Sequence, residues 1–154
     1  MSENQHRASE TFVVCEVAGT SYGVRSRSVK QLEMVESVTQ VPNAAPAVEG
    51  VVFSRGEVIP ALNLRVRFGF ERIPYDLRTR LVVTDVEGRT VGLIVDAARE
   101  FVSIPEDSIE PPPDAVVGLS GRYLEGIASL GDRVVLVLDL AEVARISEVV
   151  TEGA

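Results

Sequence analysis

Apolar residues recur along this chain in short runs, and glycine-bearing turns punctuate them. From Thr11 the run Phe12-Val13-Val14-Cys15-Glu16-Val17 is rich in β-formers; it reaches the turn Ala18-Gly19-Thr20-Ser21 and returns as Tyr22-Gly23-Val24, the pattern of a hairpin. The device repeats. Val51–Ser54 and Val58–Leu64 flank Arg55-Gly56, Leu81–Val86 and Thr90–Asp96 flank Glu87-Gly88, and Tyr123–Leu130 and Val134–Leu140 flank Gly131-Asp132. Many short strands at this spacing predict a mainly β chain, with antiparallel sheet closed into barrels instead of a parallel α/β sheet. Pro60 cannot donate to a ladder, so its part of the run is expected at an edge or a bulge.

Helical signals are brief. Ser28-Val29-Lys30-Gln31 fits a capping box, in which the Ser and Gln side chains satisfy free backbone N–H groups, and predicts a short helix with Val29 and Leu32 on one face. The stretch from Asn43 to Gly50 predicts one helical turn, with Pro46 near its start and Gly50 as its stop. Asp139-Leu140-Ala141-Glu142 repeats the capping logic, and Leu140, Val143 and Ala144 have the spacing of a helix packed on the barrel. The segment Ile104–Pro113 ends in three consecutive prolines and is expected as a rigid connector. Residues 1–10 are polar and expected as a tail, with the folded region over 11–150 and a C-terminal tail over 151–154.

Charge and composition narrow the function. The 154 residues carry 15 Lys and Arg against 23 Asp and Glu, a net charge of -8 that repels a phosphate backbone, so nucleic acid is not an expected partner. The local exception is Arg65, Arg67, Arg72, Arg78 and Arg80 against Glu71 and Asp76, expected as a solvated loop. No apolar run approaches the length of about 18 residues that spans a bilayer, so no direct membrane insertion is expected. The single Cys15 lies in an apolar run and is expected as a buried residue in a reducing compartment. The one histidine, His6, lies in the tail, so no Ser-His-Asp or Cys-His arrangement can form in the folded part, and no cluster has zinc spacing. Neither Gly-rich phosphate-binding pattern is present. Glu106 and Asp107 precede the prolines and are expected as surface charge or a turn, and Asp96, inside an apolar run, is expected to sit at a strand end or to accept a hydrogen bond there. Catalytic residues, metal and cofactor are all expected to be absent.

A string of landmarks then carries a family resemblance: Tyr22-Gly23-Val24, Val29 to Leu32, Val38-Thr39-Gln40-Val41-Pro42, Gly50-Val51-Val52, Arg55-Gly56 with Val58-Ile59-Pro60, and Leu62-Asn63-Leu64. It continues through Val91 to Asp96, Ile109-Glu110-Pro111-Pro112, Tyr123 to Gly126 and Val135 to Leu140. In order and spacing these resemble the CheW family of chemotaxis coupling proteins, from Thr11 to about Val150. The resemblance implies two small five-stranded SH3-like β-barrels around a shared hydrophobic core. It implies a non-enzymatic adaptor in a bacterial chemosensory array, found in the cytoplasm and recruited to membrane-associated receptors. Its implied partners are the regulatory domain of a CheA-type histidine kinase and the helical hairpin tip of a chemoreceptor, the latter in a groove between the subdomains, with weak self-association in array rings.

On this basis Val29, Gln31, Leu32, Arg55 and Gly56 are the expected receptor-binding residues, and Glu49 and Val51 the expected kinase contacts. Apolar side chains would meet the receptor helices while a cation fixes register; Val29 and Leu32 have core packing as their competing role, and Arg55 that of a plain turn residue. This chain departs from the family pattern in having Gln31 where Glu is common, Phe53-Ser54-Arg55-Gly56 where Asn-Leu-Arg-Gly is usual, and Asn63 where Asp is common. Gln31 cannot form an ion pair with Arg55, only a neutral hydrogen bond. Two alternatives stand beside coupling: a scaffold of the same fold that binds the kinase or itself without a receptor, and a small β-barrel ligand carrier or enzyme.

Overall fold

The computed structural model describes residues 8–113 and 121–145, so the first seven residues of the tail expected over 1–10, and the boundary and tail expected at 150–154, lie outside the described residues. Eleven strands are described: β1 (Ser9–Val17), β2 (Thr20–Arg25), β3 (Val29–Met34), β4 (Val48–Ser54), β5 (Glu57–Asn63), β6 (Arg80–Val86), β7 (Arg89–Val95), β8 (Ala97–Pro105), β9 (Ile109–Glu110), β10 (Leu124–Leu130) and β11 (Arg133–Leu138). Two single-turn helices, α1 (Leu64–Arg67) and α2 (Leu140–Val143), follow β5 and β11. β1 begins at Ser9, two residues before the expected start of folding.

Turn chemistry explains the four tight hairpins. Ala18 and Gly19 have φ of 52° and 82°, Arg55 and Gly56 50° and 82°, and Glu87 and Gly88 54° and 85°. Two successive left-handed residues make the turn whose twist matches that of paired strands, and the glycine adopts the second position without a Cβ clash. At the fourth, Leu130 pairs with Arg133 across Gly131, whose φ is 61°.

The strands form a six-stranded sheet in the order β8-β1-β2-β11-β10-β9 and a five-stranded sheet in the order β3-β6-β7-β5-β4. Pairing is antiparallel except for two parallel ladders, β2 with β11 and β5 with β7, which the alternating pattern did not signal. Among the described residues each sheet curls on itself without a backbone ladder across its seam, so the expected five-stranded barrels are curled sheets of six and five strands. Pro60 lies where β5 pairs with β4 alone; the ladder to β7 starts at Ala61, so its missing N–H is not required there.

Two expected helices are strand or turn instead. Val29 to Leu32 belongs to β3, paired with β6 from Val29↔Thr84 to Met34↔Arg80, and only Ser26–Ser28 makes a single 3-10 turn. The alternation of half-buried Val29, Gln31 and Glu33 with exposed Lys30, Leu32 and Met34 has the period of a strand. A four-residue capping signal is outweighed by an eager ladder partner. Between Asn43 and Gly50 the chain makes turns, with Val48 N–H donating to the Ala45 carbonyl at 2.9 Å, and then enters β4. Gly50 is not a helix stop: Thr39 bridges to Val51, and a Cβ on Gly50 would lie 2.1 Å from the Thr39 carbonyl oxygen.

Three apolar clusters result. Ile59, Ala61, Leu81, Val83 and Ile94 fill the five-stranded sheet, and Phe12, Ile104, Ala128 and Val137 fill the six-stranded one. The largest lies between the sheets, where Val13, Tyr22 and Leu138 meet Leu62, Val82 and Leu93. Asp96 lies just past the end of β7, the strand-end position expected, and there it ties the two sheets. It accepts from Ala18 N at 2.8 Å and from Arg65 Nε at 2.9 Å, with Arg65 Nη2 2.9 Å away. Asn63 caps α1, its side chain accepting from Arg65 N and Val66 N, and Asp139 caps α2 through Glu142 N as expected.

Candidate partner-binding surface

β3 is an edge strand, and its two faces have different tasks. Gln31 and Glu33 point to the seam of their own sheet. There Gln31 Nε2 donates to Ser54 Oγ at 2.7 Å, Ser54 Oγ donates to Glu33 Oε2 at 2.7 Å, and Gln31 also bonds Glu33. Ser54, at the end of β4, is buried, so side chains of the two edge strands hold this seam. The hydrogen bond allowed between Gln31 and Arg55 is not made.

The opposite face of β3 looks toward the six-stranded sheet. Leu32 is opposite Val82 and Met34 opposite Arg80, and paired residues share a face. Val82 is fully buried in the core between the sheets, whereas Leu32 and Met34, at the sheet's edge, remain 36% and 46% exposed. The shared core thus runs out into an apolar ledge. Val29, half-buried, packs against that core, which agrees with its competing role.

Arg55 and Gly56 form the exposed β4–β5 turn, and Arg55 makes no hydrogen bond or ion pair with the described residues. Next to it Phe53 and Val58, a directly opposed pair, are 73% and 63% exposed, and the next pair on that outer face is Val51 with Pro60. Apolar side chains facing water at adjacent positions mark a surface that gains by being covered.

Glu49, by contrast, is turned inward to its own chain. Its carboxylate accepts from Arg72 Nε at 2.6 Å, Asn63 Nδ2 at 3.1 Å and Tyr75 Oη at 3.1 Å, pinning the loop between α1 and β6 onto β4. Burial pushes its pKa up, but the bonds from Arg72, Asn63 and Tyr75 outweigh this and hold the carboxyl below its ordinary value. Burial, then the Glu49 charge, pushes the Tyr75 phenol up to about 12.

The ledge leads to a cleft at the boundary of the sheets with about 370 Å³ of free volume, lined by Arg78, Arg80, Ala97, Ala98, Arg99, Glu100 and Arg133. Four guanidinium groups against one carboxylate is the reverse of the balance over the whole chain. None of the five expected receptor-binding residues lines this cleft; Leu32 approaches it through Met34, whose partner Arg80 is in the wall. Sequence reasoning passed over Met34, which follows Leu32 by two in a strand, and over Arg78 and Arg80, which had been counted as a solvated loop.

The comparisons with known proteins agree with this architecture. The family model of the CheW-like domain matches residues 11–148. The chain belongs to the CheW-like domain family. Over 131 residues this CheW-like domain is 29% identical to the chemotaxis protein CheW of Klebsiella aerogenes, covering 85% of the chain and 79% of the relative. It is 29% identical to the chemotaxis protein CheW of Bacillus subtilis over 133 residues, covering 86% and 85%. The crystal structure of the scaffolding protein TtCheW from Thermoanaerobacter tengcongensis superposes with a TM-score of 0.82 at 30% identity, covering 95% of this chain and 94% of that one. The family is one of chemotaxis scaffold and coupling proteins, not of catalysts. Among the described residues no group of three His, Cys, Asp or Glu could hold a metal ion, and no helix is long and apolar enough to cross a membrane.

Proposed function

We propose that this CheW-like domain is a non-enzymatic adaptor that couples a chemoreceptor to a CheA-type histidine kinase. The observation that carries the proposal is the apolar ledge of Leu32 and Met34, where the core between the two sheets opens to the surface. A ledge of this kind suits an amphipathic helix, whose apolar stripe would complete the shared core. The receptor hairpin would lie along β3, with Leu32 and Met34 beneath it and with Arg55 and Gly56 beside the seam that Gln31 closes; Val29 supports the ledge from the core. The kinase regulatory domain would cover the outer face of β4 and β5, where Val51, Phe53 and Val58 lie. Glu49 would contribute by holding the neighbouring loop instead of touching the kinase.

Calorimetric titration tests this with the regulatory domain of the organism's own kinase and a receptor hairpin fragment. Met34→Glu and Arg55→Ala should each weaken the receptor by about tenfold or more while leaving kinase affinity within twofold, and Phe53→Glu should do the reverse. If the unsubstituted protein binds neither partner at low salt, the coupling function is wrong.

A further inference from the structure

We infer that the cleft between the sheets reads carboxylates on the receptor helix, with Arg78 and Arg80 deciding which helix fits; this rests on the coupling function proposed above. Of the four arginines in the wall, Arg99 is paired with Glu16 and Arg133 with Glu100. Arg78 and Arg80 form no ion pair among the described residues, although the charge of Asp76 acts on Arg78, in a chain whose acidic groups outnumber its basic ones.

The placement of Arg80 is built. Arg80 Nη1 donates to the carbonyls of Leu77 at 2.7 Å and Thr79 at 2.9 Å, which fixes the guanidinium while leaving its other donors open. The nearby carboxylate, Asp76, is occupied by the turn itself: it accepts from Arg78 N at 2.8 Å, and Asp76 N donates to Thr79 Oγ1 at 2.8 Å. Thr79 is buried, so this turn is anchored and not merely displayed. The Arg80 guanidinium, held in place, has less side-chain entropy left to lose when a carboxylate arrives, and Arg78 stands beside it on the anchored turn.

Ala97 and Ala98 also line the cleft and are small enough for a helix to approach closely. Because Met34 and Arg80 face each other across β3 and β6, the apolar ledge and the cationic wall are contiguous. The matching helix has an apolar stripe for Leu32 and Met34 and, about one turn further along, Asp or Glu for the arginines. The carboxylates set register and partner choice, and the ledge supplies the burial.

The test uses the full chain, the purified cytoplasmic hairpin of a chemoreceptor from the same organism, and the kinase regulatory domain, titrated at two salt concentrations. The double variant R78E/R80E should weaken hairpin binding by about 30-fold or more at low salt and flatten its salt dependence, with kinase affinity unchanged. Arg89→Glu is the control for overall charge; Arg89 is the first residue of β7, opposite Val86 at the far end of β6 from Arg80, and its substitution should weaken binding less than about threefold. Replacing the hairpin's acidic residues with Lys should restore binding to R78E/R80E. Equal binding by the unsubstituted protein and R78E/R80E would overturn the inference and leave coupling standing. Failure of the unsubstituted protein to bind the hairpin would overturn both.

Discussion

At Glu49 one carboxylate holds three donors, so its contribution to stability depends on pH in a definite direction. Its pKa is lower in the folded protein than in the unfolded chain, so the stabilisation is complete above the ordinary carboxylate range and is lost as pH falls through the depressed value. Glu49→Gln should cost about 1–2 kcal/mol at pH 7, and the gap to the unsubstituted protein should narrow below about pH 4, as read from urea midpoints. A gap constant with pH would mean that the charge contributes nothing. Cys15 is the opposite case. Burial pushes its thiol up to about 12, so a thiol reagent at pH 8 should label it only as fast as the protein unfolds. Its burial was legible from an apolar run. Glu49's partners were not, because Arg72 and Tyr75 lie more than twenty residues away and nothing local announces their return.

The elements that were legible in sequence are those in which a turn dictates its own pairing. The four glycine hairpins needed only the twist of two strands, and the capped α2 only an Asp and a spacing. β3 was misread because a Ser and a Gln three apart satisfy a helix start locally, whereas the ladder to β6 that captured them is over fifty residues distant. The same distance hid the ledge, since Leu32 was placed on a helix with Val29 when its neighbour on the surface is Met34. β8 also escaped notice: Ala97 to Phe101 alternate poorly because a bulge opposite Val14 and Cys15 breaks the period. Two element-scale predictions follow from the contacts that replace closed ladders. Ser54→Ala leaves Gln31 and Glu33 without their shared hydroxyl at the seam and should cost about 1–2 kcal/mol in urea unfolding. Asp96→Ala strips the β7–β8 corner of its acceptor and leaves the Arg65 guanidinium only the Glu71 carbonyl, and about 3 kcal/mol should be lost, more than at any exposed ion pair. A loss under about 0.5 kcal/mol at Asp96 would show that the corner is held by packing alone.

Across the whole molecule the largest apolar cluster draws on both sheets, so neither sheet has a complete interior without the other. Thermal unfolding should therefore be a single transition, with calorimetric and van't Hoff enthalpies equal, and two resolved steps would mean that the sheets are separable. The hairpins made the antiparallel β class legible and the family resemblance implied two β units, but neither gave their interleaving, because parallel ladders join strands that no short turn connects. That interleaving bears on synthesis. β3 to β7 are consecutive, so the five-stranded sheet can pair while the ribosome is still working. The six-stranded sheet cannot: β2 waits for β11, its parallel neighbour, more than a hundred residues later. Until then the first strands of the nascent chain have an open edge and an uncovered apolar face, and completing the six-stranded sheet falls to β11.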